Sequence, residues 1–136
     1  MHSAPPIQLA YRPSTLDARR RLYEDALAII GREYPADLRL DVVAARIFTS
    51  RRSLQRAFRD AGRSFRTEHL RARLHAAAHL MRIEPPRTVT SVSHAVGYSQ
   101  PAQFAKAFRR EFGVSPAEYR RGAARAMARR PPTAAS

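Results

Sequence analysis

The side chains best suited to specific chemistry are arginines and glutamines on two short segments. The first segment carries Arg52, Gln55 and Arg56. An arginine can donate two parallel hydrogen bonds to O6 and N7 of guanine, and a glutamine can pair in the same way with N6 and N7 of adenine. Arg51 and Arg59 flank this group, and we expect them to bind phosphates, which positions a protein without specifying a base sequence.

The second segment has the same kinds of side chain about fifty residues further on. Gln103 and Lys106 are its best candidates for contact with base edges, and Ala102 lies between them and Gln100. We expect this segment to contribute less direct base contact, because its face is rich in alanine, and more through the backbone and DNA shape. The full set of candidate DNA-binding residues is Ser50, Arg51, Arg52, Gln55, Arg56, Arg59, Ser99, Gln100, Gln103, Lys106, Arg109 and Arg110. Ser50 and Ser99 are included because helix N-termini bind phosphate.

Apolar residues at helical spacing underlie both segments. Leu54 and Phe58 lie four apart, as do Phe104 and Phe108, so each pair forms one stripe of a helix. The two stripes are fifty residues apart, and upstream residues continue the same register, for example Val42 and Val92. The chain is therefore expected to contain one structural unit twice, with different polar residues on each copy.

The overall charge restricts the class of partner. The chain has 136 residues and a net charge of +14, from 25 basic and 11 acidic residues. Such an excess attracts polyanions, which leaves DNA, ribosomal RNA and an anionic membrane surface open. There are no cysteines, no apolar run long enough for a membrane span and no signal peptide, so we expect a soluble cytoplasmic protein.

Periodicity and capping residues predict an all-α fold with seven helices and no strands. Ser14, Ser50, Ser64 and Ser115 are candidate N-caps, and glycines follow several predicted helix ends. The predicted organisation is a flexible arm over residues 1–13, a domain over 14–128 and a disordered tail over 129–136. Within the domain, helix-turn-helix units are predicted at about 37–62 and 88–113. The predicted helix between them, about 65–83, would be roughly 28 Å long, close to the ~34 Å between successive major-groove faces.

Several motifs together resemble the AraC/XylS-type transcription regulators. The resemblance covers about residues 37 to 121. Its most specific part is Gly97-Tyr98, Phe104, residues 108–116 (FRREFGVSP) and Tyr119-Arg120, and it extends to Leu54–Phe58 and to Arg73-Leu74 with Ala77 and Leu80. It implies a seven-helix domain with two helix-turn-helix units, binding to double-stranded promoter DNA and recruitment of RNA polymerase. The size is closest to the small stand-alone members, so we expect a monomer that binds an asymmetric element.

The chain departs from the family pattern at four positions. The family usually has a glycine at or next to Phe48, a Ser or Asp at Gln100 and a small polar residue at Pro101, while Ser93 replaces a usual core alanine. A different geometry of the first turn would follow from the missing glycine.

No other chemistry is predicted. His75 and His79 are four residues apart, but no third ligand lies nearby in sequence, so we interpret them as a partly buried or solvated pair and expect no metal. No catalytic triad or carboxylate pair is visible, so we expect neither an enzyme nor a cofactor. Two alternatives remain: a nonspecific nucleoid-type or RNA-binding protein, and a helical adaptor that binds another protein.

Overall fold

A computed structural model describes residues 15–129, and these residues form seven α-helices. The prediction of an all-α fold is confirmed, and the described residues contain no β-strand. The helices are α1 (Thr15–Glu33), α2 (Leu40–Arg46), α3 (Arg51–Asp60), α4 (Phe65–Ile83), α5 (Val89–Ala95), α6 (Pro101–Phe112) and α7 (Pro116–Ala128). The predicted N-terminal arm, the Ser14 cap and the tail beyond Arg129 lie outside the described residues. None of the described helices combines the length and apolar character that crossing a membrane requires.

The helix starts follow the predicted capping chemistry. Ser50 and Ser64 each accept a hydrogen bond from the backbone N–H three residues on, at 3.0 and 3.1 Å. Ser115 does the same at the start of α7, and Glu118 returns a bond to the Ser115 backbone, which completes a capping box. Pro101 is the first residue of α6, where its missing N–H leaves no bond unmade.

The first compact unit consists of described residues 15–32 and 38–68. Its core contains Ala26, Ile29 and Ile30 of α1, Val43 and Ala44 of α2, and Leu54, Ala57 and Phe58 of α3. The Phe58 ring lies edge-on to Tyr23, with centroids 5.0 Å apart, and to Phe65, at 5.7 Å. A single aromatic side chain of α3 thus packs against α1 and the first turn of α4.

The second compact unit consists of residues 33–37 and 69–129. Phe104 and Phe108 are fully buried, and Leu74, Met81 and Val92 pack with them in one cluster. Phe112 and Tyr119 pack against this cluster while partly buried. The aromatic residues of α6 and α7 therefore build a core and not a surface for base stacking.

The fifty-residue register is correct for only half of the repeated unit. It holds for α3 and α6, where Leu54 and Phe58 correspond to the buried Phe104 and Phe108. It is wrong for the preceding helices: Val92 is buried, whereas Val42 is 50% exposed and its neighbour Val43 is buried instead. Four residues separate α2 from α3, and five separate α5 from α6. Because the second turn has one extra residue, α2 and α5 correspond at a spacing of forty-nine residues and not fifty.

The first turn keeps a left-handed residue although it has no glycine. Phe48 adopts φ 59°, and Gly97, forty-nine residues later, adopts φ 105°. The backbone of Phe48 therefore occupies the region that glycine prefers. Its side chain projects into solvent and is 97% exposed.

Candidate nucleic-acid interface

Helix α3 presents a cationic surface on the side opposite its core. Leu54, Ala57 and Phe58 are buried, whereas every arginine and glutamine of the helix is exposed. Within the described part of the chain, Arg51, Arg52, Arg56 and Arg59 make no ion pair. Four guanidinium groups on one ten-residue helix are therefore available to an external anion.

The arginines of α3 divide into two rows. Arg51, Gln55 and Arg59 line one wall of a surface cleft, which Arg52 and Arg56 do not line. At 100° per residue, Arg52 and Arg56 lie about opposite the buried Leu54. Gln55 therefore lies with Arg51 and Arg59, and not with Arg52 and Arg56 as predicted from the sequence.

Two further cations face the same cleft and were missed in the sequence. Arg63 and Arg66 line it together with the α3 row. Gly62, at φ 72°, ends α3 and allows a short connection, so that the first turn of α4 follows closely. Only the glycine and the Ser64 cap signalled this turn in the sequence, and neither indicates which side chains meet across it.

Helix α6 presents a second polar surface. Its Phe104 and Phe108 are buried, while Ala102, Gln103, Lys106, Arg109 and Arg110 are exposed. Lys106, Arg109 and Arg110 form no ion pair with any described residue. Ser99 and Gln100 are also exposed, and Gln100 occupies the N-cap without a side-chain cap bond. The start of α6 therefore differs from that of α3. There the Ser50 hydroxyl accepts a hydrogen bond from the Ser53 backbone N–H and donates one to the Ser53 hydroxyl.

Arg73 holds the segment that follows α1. Its Nε donates to the Tyr34 carbonyl at 2.8 Å, and Nη2 donates to the Ala36 carbonyl at 2.8 Å. Burial lowers the pKa of Arg73 from its ordinary value, but an arginine retains its charge at neutral pH. These carbonyls belong to the turn after α1, which ends at Glu33, and a backbone carbonyl shielded from water needs such a partner. Arg73 thus acts structurally and is not available to DNA.

Arg120 performs the same task for the segment that precedes α5. Its Nε donates to the Arg87 carbonyl at 2.7 Å. Ser93, within α5, is fully buried and donates its hydroxyl to the Thr90 carbonyl at 2.9 Å. The departure from the family's alanine therefore leaves no buried hydroxyl without a partner.

Glu111 connects α6 to α4. Its Oε2 accepts from Arg71 Nε at 3.1 Å and lies 2.9 Å from His75 Nε2. The hydrogen bond from His75, followed by that from Arg71, holds the pKa of Glu111 below its ordinary value. His75 is thus an exposed residue of α4 that pairs with a carboxylate of α6.

Comparison with known proteins identifies curated relatives. A family model described as a helix-turn-helix domain matches residues 43–122. The regulatory protein SoxS of Escherichia coli (strain K12) is 30% identical over 105 residues, which cover 76% of this chain and 96% of SoxS. The Msm operon regulatory protein of Streptococcus mutans is 31% identical over 94 residues, or 68% of this chain. The matched residues span only 34% of that longer protein.

Solved structures share the fold. A probable AraC family transcriptional regulator from Rhodopseudomonas palustris matches with a TM-score of 0.69 and 27% identity, covering 76% of this chain and 97% of that one. The DNA-binding domain of AdpA, a global transcriptional factor solved in complex with a target DNA, also gives a TM-score of 0.69, at 25% identity, covering 80% of this chain and 97% of that one. The chain belongs to the helix-turn-helix family of AraC-type transcription regulators, which bind DNA sequence-specifically.

Proposed function

We propose that this chain regulates transcription by binding two adjacent major-groove segments of a promoter element, with α3 and α6 as its recognition helices. The observation that carries the proposal is the cationic surface of α3. Its four arginines lie outside the core and pair with no described carboxylate. A soluble protein with an unneutralised helix face of this kind suits the phosphate backbone and the guanine edges of DNA.

The two recognition helices are assigned different base preferences. Arg52 and Arg56 of α3 suit guanine, and Gln55 suits adenine. On α6 the corresponding surface offers Gln103 and Lys106 beside the small Ala102. Two unlike helices in one chain favour an asymmetric element, because a symmetric element is matched by two identical subunits. One copy of the chain per element is therefore proposed.

We also propose where in the cell the chain acts and which protein it contacts there. The chain acts in the bacterial cytoplasm on the nucleoid, contacts RNA polymerase at the promoter and catalyses no reaction. The name of SoxS, a regulatory protein that the chain matches over 96% of its length, supports a role in regulation. Transcription in vitro with purified polymerase, with and without the chain, tests the contact and gives the sign of regulation.

Selection of bound DNA from a random pool is the experiment that tests the proposal. The wild type is expected to enrich a bipartite motif with half-elements about ten base pairs apart. The double variant Arg52→Ala/Arg56→Ala should lose the half-element bound by α3, and Lys106→Ala should weaken the other. Arg21→Ala is the matched control, because Arg21 is an exposed arginine of α1 without an ion pair to a described residue.

Each contrary result points to another function. A specificity ratio near one against random DNA would indicate the nonspecific nucleoid-type or RNA-binding alternative. One short enriched element would mean that α6 does not bind bases. Full regulatory activity of Arg52→Ala/Arg56→Ala would support the protein-binding adaptor.

A further inference from the structure

The first compact unit contains a surface cleft of about 530 Å³ beside α3. Leu40, Phe58 and Phe65 supply its apolar part. The Phe58 and Phe65 rings meet edge to face at 5.7 Å and 84°. The volume falls within the range of about 300–1,000 Å³ that is typical of small-molecule sites.

Among the described residues, the charged side chains that line this cleft are all arginines: Arg51, Arg59, Arg63 and Arg66. Arg63 Nη1 lies 3.5 Å from Glu68 Oε2, whereas the other three arginines form no ion pair in the described part of the chain. Ser64, Phe65 and Arg66 also line the cleft, so the N-terminal end of the nineteen-residue helix α4 adds positive potential. An apolar floor below unneutralised guanidinium groups complements a ligand with an apolar body and one anionic end.

We propose that this cleft binds a small organic anion, such as an aromatic carboxylate, with the ring against the partly exposed Leu40 and Phe65 and the carboxylate held by Arg66 and its neighbouring arginines. Guanidinium groups bind carboxylates through paired hydrogen bonds. A bare phosphate would satisfy the arginines but would leave the apolar floor in water. The size and the floor of the cleft therefore favour the organic anion.

Occupation of the cleft would regulate DNA binding. This step rests on the proposed function, because Arg51, Gln55 and Arg59 line the cleft and belong to the predicted DNA surface. An anion there neutralises cations that phosphates would otherwise bind. The ligand and the DNA are thus expected to compete.

Isothermal titration calorimetry with three probes tests the binding site directly and without DNA. The probes are β-naphthoate, its neutral isostere β-naphthamide and inorganic phosphate. The wild-type chain is expected to bind β-naphthoate at least about tenfold more tightly than either of the others. Arg66→Ala should weaken β-naphthoate about fivefold, since it removes one exposed cation from the rim. Arg21→Ala, a charge-matched control on α1, should leave the affinity within about twofold.

Several results would overturn the proposal. Equal binding of β-naphthamide would show that the arginines take no part. Equal binding of phosphate would assign the cleft to the DNA backbone, and equal losses in Arg66→Ala and Arg21→Ala would show a general charge effect. The thermal unfolding midpoint of each variant is measured as a control. A midpoint equal to that of the wild type shows that a loss of affinity is not a loss of folding.

A second measurement separates this inference from the proposed function. Increasing β-naphthoate should raise the apparent dissociation constant of a DNA duplex for the wild type, and Arg66→Ala should need about fivefold more β-naphthoate for the same effect. If β-naphthoate binds but does not change the apparent dissociation constant of the duplex, the competition is refuted and the ligand site is still supported. If the chain shows no DNA specificity, the calorimetric result still decides the ligand site.

Discussion

Phe48 and Gly97 occupy the same position in the two helix-turn-helix turns, and both have positive φ, 59° and 105°. For an L-residue with a side chain this conformation costs about 1–2 kcal/mol. Gly97 avoids that cost, whereas Phe48 bears it with a side chain that is 97% exposed and therefore gains little from burial. The two units form the same turn with different residues at this position. The positive φ is therefore required by the turn, whichever residue occupies it.

Replacement of Phe48 by glycine is expected to stabilise the chain. Phe48→Gly relieves the backbone strain but increases the entropy of the unfolded chain, which offsets about 0.5–1 kcal/mol of the gain. The free energy of unfolding, measured by urea titration, should rise by about 0.5 kcal/mol. Phe48→Ala is the control, since it removes the ring and keeps the strain, and it should change little. Equal stabilisation by Phe48→Ala would attribute the effect to the exposed ring.

Replacement of Gly97 is expected to have the opposite effect. A Cβ at this position would lie 2.5 Å from the Pro35 carbonyl oxygen and 2.9 Å from Arg73 Nε, in addition to the positive φ. Gly97→Ala should therefore lower the free energy of unfolding by about 2–4 kcal/mol.

Gly122→Ala is the matched control for this substitution. Gly122 lies within α7, and a Cβ there meets nothing within 4 Å. This variant should gain up to about 1 kcal/mol from helix propensity. Thermal or urea unfolding measures the change in the free energy of unfolding for both variants. A similar change in the two would contradict the close contact at Gly97.

The helices and their starting residues could be predicted because the signals are local. Ser50, Ser64 and Ser115 cap helices through bonds that span only three residues, and the aromatic stripe of α6 has a clear period. The one-residue difference between the turns could not be predicted, since Val42 and Val43 are adjacent and either can be aligned with Val92. The structure decides it by burying Val43 and exposing Val42.

The composition of the candidate DNA surface was predictable, whereas the cleft beside it was not. Arg52 and Arg56 were assigned to bases because their side chains suit guanine, and both are exposed. Arg51, Gln55 and Arg59 are four residues apart and therefore form one row of α3. That this row borders a cleft shared with Arg66 of another helix has no signal in the spacing within α3. His69 was likewise missed, because a buried histidine bonded to the Tyr34 carbonyl, 35 residues away, has no local signal.

Loss of the Arg73 side chain is expected to destabilise the second unit. Arg73→Met preserves much of the aliphatic stem but removes the Arg73 donors from the carbonyls of Tyr34 and Ala36, of which the Tyr34 carbonyl keeps its bond with His69. The free energy of unfolding should fall by about 2 kcal/mol, the usual scale for bonds from a charged donor. Arg73→Lys should recover only part of this, because an ammonium group cannot reproduce the planar fork. Arg121→Met, at an exposed position of α7, should have almost no effect, and an equal loss there would refute the assignment.

The stability of the chain is expected to depend on pH through His69. Burial lowers the pKa of His69 from its ordinary value of 6.5, and the hydrogen bond with the Tyr34 carbonyl offsets part of that effect. Below about pH 6.5 the unfolded chain therefore binds a proton that the folded chain does not, so the free energy of unfolding falls as the pH is lowered. The pKa of Glu111 is also lowered, but its ordinary value is 4.5, so it acts only at lower pH.

Urea titrations between pH 8 and pH 5.5 measure this dependence. The slope contributed by one proton is at most about 1.4 kcal/mol per pH unit. His69→Gln should reduce the slope below pH 6.5, because glutamine does not titrate, whereas His79→Gln, at an exposed position, should leave it almost unchanged. A wild-type stability independent of pH over this range would contradict the role of His69.

Arg56 and Arg59 are expected to contribute to DNA binding in different ways. Arg56 projects away from the core of α3 and is assigned to a base, whereas Arg59 lines the cleft and is assigned to a phosphate. Arg56→Ala should weaken the preferred site by about 1–3 kcal/mol and relax the preference at one base position. Arg59→Ala should weaken all duplexes to a similar extent and reduce the slope of log K against log salt by about one. Equilibrium binding to the selected duplex and to a scrambled one at several salt concentrations separates the two effects, with Arg21→Ala as the charge control. Equal changes in specificity for Arg56→Ala and Arg59→Ala would show that the division of α3 into two rows has no functional meaning.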